Sequence, residues 1–277
     1  MSRENLMPEL HPLDIATSLI LTGDDTYRGQ TTKTYANVIG PYGGITAACL
    51  MQAVLIDRRL AGTPVSLTVN LLAAVADGEF DITVKLARSG KYIQHWSVEL
   101  VQNGRICSNA SVITALREAG FDHQSVDAPA IGPHTDFDRS TGVFPLPWLN
   151  AYDIRFVEGA PAFASALRTS KLSTRSVQYV SDNPPRPLDY LSLTAIADSF
   201  LLRIFNVRAK STPMGSVSIT THFTGAPEDI AAQGIEPVLG VVDGIRFHGN
   251  FHDQNMQIWG RGGKLLATGS QLVWFKN

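Results

Sequence analysis

The sequence predicts an α+β protein built as two tandem repeats, each with a long central helix wrapped by an antiparallel sheet. Three observations carry this expectation. Two long apolar stretches, residues 45–60 and 188–205, read as helices. Each precedes runs of alternating, β-branched-rich residues of strand length. Finally, the second half lines up with the first. Residues 64–71 align with 216–223, and Gln102-Asn103-Gly104-Arg105-Ile106 aligns with Arg261-Gly262-Gly263-Lys264-Leu265. The first alignment sets Pro64 opposite Ser216, and the second sets Val112 opposite Gln271.

Taken in order, residues 1–12 form a loose lead-in, and 13–21 read as a short helix or first strand. After the turn Gly23-Asp24-Asp25, residues 26–38 read as strand. Gly40-Pro41-Tyr42-Gly43-Gly44 introduces the first helix. Ala48, Met51, Leu55 and Ala47, Leu50, Val54 give it an apolar surface wide enough for burial on most sides. It turns polar at Asp57-Arg58-Arg59, and Gly62 is placed to stop it. Four strands follow, at 65–75, 80–88, 92–102 and 105–116, separated by Asp77-Gly78, Ser89-Gly90 and Asn103-Gly104. Glycine supplies the positive φ that tight hairpins need.

Periodicity fails over residues 118–147, where Pro129, Pro133, Pro145 and Pro147 point to an irregular strap on the surface. This divides the chain into an N-terminal unit (1–118), a connector (119–147) and a C-terminal unit (148–277). The second unit opens with strands at 151–158 and 174–180. Asn183-Pro184-Pro185-Arg186-Pro187 then leads into the second helix, with Asp189 near its start. Strands at 216–224, 238–246, 249–260 and 264–275 complete the copy. Asp243-Gly244 need not be a hairpin turn; the residues around it can form one strand with a bulge.

The bulk properties exclude several classes. A formal charge of −2 and a pI near 6.4 give no footing for binding a nucleic-acid backbone. The polar residues 1–11 show no secretory signal, and no apolar run reaches the roughly 20 residues of a spanning helix. The expectation is a cytoplasmic protein. Cys49 and Cys107 both lie in apolar-periodic segments and are expected to pack as small hydrophobes. His222, His248 and His252 have no metal-ligand spacing, and His95 beside Trp96 is a strand residue. No metal and no cofactor are expected.

Three polar groups stand out in apolar elements: Asp198 among Ala195, Ile196, Ala197, Phe200 and Leu201; Ser216 at the head of a strand; and Gln271 in the last strand. Singly, Asp198 can pair with Arg203 or Arg208, Ser216 can be an ordinary strand serine, and Gln271 a satisfied sheet residue. The polar pair Ser216 and Gln271 is absent from the first copy, an asymmetry that a structural repeat alone does not require.

The order of these motifs resembles the thioesterase II family of acyl-CoA thioesterases, which has the double hotdog fold. The segments that carry the likeness are Leu193-Thr194-Ala195-Ile196-Ala197-Asp198-Ser199-Phe200, residues 216–223, and Leu265-Leu266-Ala267-Thr268-Gly269-Ser270-Gln271. Gly40-Pro41-Tyr42-Gly43-Gly44 and residues 64–71 with the Asn103-Gly104 hairpin extend it through the first copy. The resemblance implies hydrolysis of an acyl-CoA substrate by a water bound to Asp198, Ser216 and Gln271. It also implies a homo-oligomer. Better-known bacterial members carry Thr where this chain has Ser216, which keeps the hydroxyl and loses the methyl that restrains χ1.

In that chemistry Asp198 takes a proton from the water or holds it, while Ser216 and Gln271 fix it in line with the carbonyl. Backbone N–H groups around Gly43 and Gly44 are candidate substrate contacts that would stabilise an oxyanion. No Gly-x-Ser-x-Gly elbow is present to make Ser216 a covalent nucleophile. Asn70 and His222, equivalent in the repeat, are candidates to face the helix. Arg58-Arg59 is a solvated helix end or a contact to coenzyme A phosphates. The alternatives are an inactive acyl-CoA- or lipid-binding double hotdog protein, and a hydratase. Asp182-Asn183-Pro184-Pro185 approaches the hydratase pattern but lacks its following His.

Overall fold

In the computed structural model, which describes residues 10–141, 145–161, 173–208 and 212–276, one antiparallel sheet runs through both halves of the chain. The first half contributes α1 (Pro12–Ala16), β1 (Ile20–Gly23), β2 (Thr26–Gln30), α2 (Gly43–Leu55), β3 (Thr63–Leu71), β4 (Glu79–Ser89), β5 (Ile93–Gln102) and β6 (Arg105–Ala115). The second contributes α3 (Pro147–Asn150), β7 (Tyr152–Glu158), β8 (Ser176–Asp182), α4 (Tyr190–Ala197) and α5 (Ile204–Val207). It continues with β9 (Met214–Phe223), α6 (Pro227–Ala232), β10 (Val238–Asp243), β11 (Phe247–His248), β12 (Phe251–Trp259) and β13 (Leu265–Phe275). The strand order is β1-β2-β4-β5-β6-β3-β9-β13-β12-β10-β8-β7, with β11 beside β12.

The halves join where β3 pairs with β9, and Thr68 faces Thr220 with their hydroxyls 3.0 Å apart. These two threonines are equivalent in the repeat alignment, so a pseudo-twofold axis passes between them. The register extends the equivalence outward. Leu67 pairs with Val112, and its counterpart Ile219 pairs with Gln271. Val112 and Gln271 therefore occupy the same place in the two copies, as the aligned hairpins predict. Both central strands also carry one extra residue at the same point, Val65 in β3 and Val217 in β9.

Helix α2 is buried along almost its whole length, from Gly44 to Met51 and again at Ala53 and Val54. It starts two residues earlier than its apolar pattern predicts and ends at Leu55, well before Gly62. Asp57 stops it by accepting from the Arg59 backbone N–H at 2.8 Å, a local bond that competes with the helical ladder.

The long second helix is a correction. Helix α4 spans only eight residues, and Asp198 is its C-cap rather than an interior position. Asp189 caps its start by accepting from Ser192 N–H at 2.8 Å. At the other end the bonds tighten, with Asp198 N–H to Ala195 O at 3.2 Å and Ser199 N–H to Ile196 O at 2.8 Å. The Gln254 side chain then accepts from Arg203 N–H and donates to Phe200 O, both at 3.2 Å. The broken helix thus has two of its backbone groups, Arg203 N–H and Phe200 O, satisfied by one side chain.

Other boundaries differ in detail. The first expected segment contains both α1 and β1. Residues 26–38 are strand only to Gln30. A short turn at Lys33–Tyr35 then drives Tyr35 inward, where its ring meets Tyr152 edge-on at 6.3 Å. The strand expected at 174–180 lies at Ser176–Asp182. The hairpin turn at Asn103 and Gly104 has φ of 53° and 73°, as that dipeptide predicts. Strands β10 and β11 lie along the same edge of β12, with Asp243 opposite Asn255 and Phe247 opposite His252. That register contains one extra residue, so Asp243-Gly244 is not a hairpin turn. The chain leaves the ladder over residues 244–246 and re-enters as β11 rather than running on as one bulged strand. The Asp253 carboxylate fixes it by accepting from Arg246 N–H at 2.7 Å and Ile245 N–H at 3.1 Å.

One apolar core spans both repeats and encloses α2 and α4. A smaller cluster of Val177, Leu239, Val241 and Trp259 is packed by Ala128 and Ile131 from the strap. Gln124 ties the strap down, donating to Gly263 O at 3.0 Å and accepting from Leu265 N–H at 2.9 Å. Cys49 and Cys107 are free and buried. Among the described residues no helix is long and apolar enough to cross a membrane.

Candidate active site

The break after α4 leaves the Asp198 carboxylate beside the first turn of α2. That turn needs an acceptor, because its N-cap Tyr42 makes no side-chain capping bond. Gly43 lets the carboxylate in. A Cβ there would stand 2.7 Å from Asp198 Oδ2 and 3.2 Å from Leu71 Cδ1. Gly44 allows the two helices to approach, since a Cβ would meet the Tyr42 ring at 2.5 Å and Ala195 O at 2.6 Å. The Tyr42 hydroxyl donates to Ala195 O at 2.6 Å, and its ring stacks on Trp148 with centroids 4.4 Å apart. These contacts fix the end of α4 against the start of α2.

Gln271 reaches the carboxylate from β13. Its Nε2 donates to Asp198 Oδ1 at 2.9 Å and also to the Ser216 hydroxyl. Ser216 is there because of the bulge at Val217. Ile219, Thr221 and Phe223 point inward and are buried, so strict alternation would turn Ser216 outward with Ser218, Thr220 and His222. The extra residue reverses the phase, and Ser216 pairs with the buried Val273 on the inner face. Three elements distant in sequence thus bring Asp198, Ser216 and Gln271 into one hydrogen-bonded cluster.

Burial pushes the Asp198 carboxyl up to about 7, against the Gln271 amide and the Gly44 backbone N–H, which favour the charged form. The negative end of α4 also disfavours charge there, while the positive end of α2 offsets it. Arg203 does not pair with it. Its guanidinium binds Leu201 O, the Ser176 hydroxyl at 2.5 Å and Thr174 O at 3.3 Å, and burial lowers it to about 10. The cluster therefore holds a carboxyl poised near neutrality, and among the described residues no cation is paired with it.

Gln254, on β12, was not singled out by the sequence pattern. It donates to Gln271 Oε1 at 3.1 Å and is 2% exposed. The signal lay in the phase of its strand, since Gln254 shares the inward set with Met256 and Ile258. Its counterpart in the first repeat is Trp96, opposite Val112.

Several other sequence expectations resolve differently. Asn70 and His222 do face the same side, but it is the outer one. Asn70 donates to Asn109 Oδ1 at 2.8 Å, and His222 meets the Ser66 hydroxyl at 3.2 Å. His252 is buried and stacked on Phe247, His248 is exposed, and His95 is half-buried. Arg59 is engaged by Asp57 at 2.7 Å and Asp25 at 2.9 Å, while Arg58 is exposed. Asp182, pushed up to about 6 by burial, accepts from the Ser192 hydroxyl. Among the described residues no cluster of three or more His, Cys, Asp or Glu is placed to hold a metal.

Residues 32–115 match the family model of the acyl-CoA thioesterase N-terminal domain, and residues 124–275 match that of the acyl-CoA thioesterase C-terminal domain. The fold is similar to a conserved protein of unknown function with hot dog fold from Alicyclobacillus acidocaldarius. The two are 32% identical, with a TM-score of 0.92 over 97% of this chain and 99% of that one. A putative thioesterase II from Thermobifida fusca is 20% identical, with a TM-score of 0.81 over 98% and 99%. An acyl-CoA thioesterase II from Mycobacterium marinum is 18% identical, with a TM-score of 0.73 over 95% and 98%. None of the curated proteins matches the sequence.

Proposed function

The chain belongs to the acyl-CoA thioesterase family, and from this premise we propose that it hydrolyses acyl-CoA to the free carboxylic acid and coenzyme A through a water held by Asp198, Ser216 and Gln271. The observation that carries the reading is the Gln271 amide, which binds Asp198 and Ser216 at once in a buried site. Asp198, with its pKa near 7, takes the proton of the water as the oxygen attacks the thioester carbon. Ser216 accepts from Gln271, so its own hydroxyl hydrogen is left to orient the water. Collapse of the tetrahedral intermediate breaks the C–S bond, and the proton on Asp198 goes to the departing thiolate.

Of the Gly43 and Gly44 backbone at the positive end of α2, the Gly44 N–H is taken by Asp198, which leaves the Gly43 N–H as the proposed contact for the thioester oxygen. A small cleft lined by Ala16, Pro41, Ile45, Thr46, Cys49 and Leu100 begins along the next turn of the same helix. It is our candidate for the near end of the acyl chain. Assembly as a cytoplasmic homo-oligomer is also proposed, by family resemblance, and light scattering of the purified chain tests the assembly.

The test is release of free coenzyme A from acyl-CoA substrates of increasing chain length, with wild type and Asp198→Asn side by side. Turnover by the wild type and its loss in the folded variant support the reading. No release from any thioester by the wild type refutes it and leaves a binding protein as the alternative.

A further inference from the structure

Gln254 sits directly opposite Gln271 in the β12–β13 register and is almost fully buried. Its orientation is unambiguous. The Arg203 backbone N–H can only donate, so Oε1 faces it; the Phe200 carbonyl can only accept, so Nε2 faces that. The remaining Nε2 hydrogen points to Gln271 Oε1. A flipped Gln271 would set its Nε2 against this donor and its Oε1 against the Asp198 carboxylate, two repulsions in a desolvated site.

We propose that Gln254 is a positioning residue that locks the Gln271 amide, so that both Gln271 N–H groups are engaged by Asp198 and Ser216. It touches neither of those side chains in the hydrogen-bond network and acts through Gln271 alone. The backbone anchors make this possible: the segment that breaks α4 also orients the amide that orients the catalytic pair. The catalytic consequence rests on the hydrolase reading above, whereas the lock itself does not.

The lock sets how readily Asp198 ionises. Around that carboxyl, Tyr42 comes from the start of α2 and Tyr152 from β7, both neutral phenols raised by burial and by Asp198 itself. Arg203 follows on the same segment with its guanidinium held by Leu201 O, Thr174 O and Ser176. Gln271 and the Gly44 N–H are the groups that favour the anion. Releasing Gln271 to flip therefore removes the larger of the two.

The experiment uses Gln254→Met, which keeps the length and removes the amide, and Gln254→Glu, which keeps an acceptor for Arg203 N–H. The Asp198 carboxyl is titrated by ¹³C NMR, assigned by its absence in Asp198→Asn, and kcat and KM are measured against pH. In Gln254→Met the Asp198 midpoint is expected to rise by about one unit, which lowers kcat about fivefold at pH 7. KM is expected to stay within about twofold, because Gln254 is not placed against substrate. Gln254→Glu is expected to move the midpoint the same way by less, since its protonated form donates one bond. A folded variant whose Asp198 midpoint equals that of wild type overturns the proposal. Loss of the fold in both variants also overturns it, because Gln254 is then only a structural residue. A wild type without thioesterase activity refutes the hydrolase reading, while the NMR titration still decides the lock.

Discussion

Replacing Asp198 by Asn should slow turnover by orders of magnitude and, at alkaline pH, stabilise the protein. The folded-state pKa of about 7 lies about 3 units above the ordinary value of 3.8. At about 1.4 kcal/mol per unit, ionising this buried group costs the fold on the order of 4 kcal/mol. The native state holds the proton more tightly than the unfolded chain. The stabilisation is therefore fully present below pH 3.8 and is lost as pH rises to 7. Asn removes the titration. Its Oδ1 still accepts from Gln271, but its amide hydrogens face the Gly44 N–H, a mismatch of about 1–3 kcal/mol. The variant should thus be more stable than wild type by roughly 1–3 kcal/mol at pH 8 and less stable by a similar amount at pH 4. Loss of the base should lower kcat by about 10²–10⁴. Urea unfolding at the two pH values, with coenzyme A release at pH 8, measures all three quantities. A stability difference of the same sign and size at both pH values would show that Asp198 is not a desolvated carboxylate, and the reasoning would fail.

Gly43→Ala should cut kcat at least tenfold with little change in melting temperature, because its Cβ meets the Asp198 carboxylate at 2.7 Å rather than backbone. Gly44→Ala should instead lower stability by about 1–3 kcal/mol, since its Cβ meets the Ala195 carbonyl and the Tyr42 ring. Thermal unfolding and kinetics on the pair separate a site glycine from a packing glycine. Ser216→Ala should reduce kcat by about 10², and Ser216→Thr should stay within a few-fold of wild type, since Thr keeps the hydroxyl and stiffens χ1. Equal activity of Ser216→Ala and wild type would remove Ser216 from the mechanism. Cys49→Leu should fill the cleft beside α2 and shift the preferred acyl chain shorter, read as kcat/KM along the substrate series.

What the sequence discloses and what it hides have physical reasons here. Strands and hairpins are legible because Asn103-Gly104 and its neighbours have conformational demands that local residue types meet. Helix α2 is legible because its apolar surface is continuous. The end of α4 is not, because the apolar residues continue past Asp198 through Phe200, Leu201, Leu202, Ile204 and Phe205, and no Gly or Pro marks the break. The chain stops being helical where Gln254, over fifty residues away, accepts from one backbone group and donates to another. Tertiary contacts here override propensity. Ser216 is hidden in a different way. Strict alternation assigns it to solvent, and only the bulge at Val217 turns it inward. The repeat does not reveal it either, since the same bulge at Val65 turns Pro64 inward in the first copy against its own alternation; the family resemblance is what singles it out.

That bulge bears on how the site is specified. It occurs in both β3 and β9, on either side of the axis between Thr68 and Thr220, so it belongs to the scaffold rather than to the chemistry. At equivalent points the first copy presents Pro64, Val112 and Trp96, and the second presents Ser216, Gln271 and Gln254. Backbone geometry alone thus provides two inward-facing constellations per chain, and side-chain identity makes one of them polar. Burying three connected polar groups costs stability unless each is satisfied. Here the amides satisfy one another, the carboxylate and two backbone groups, and leave one hydroxyl hydrogen and one ionisable carboxyl free to act. The same economy of donors implies one site per chain, so calorimetric titration with a non-hydrolysable acyl-CoA analogue should count a single binding site for every 277-residue chain.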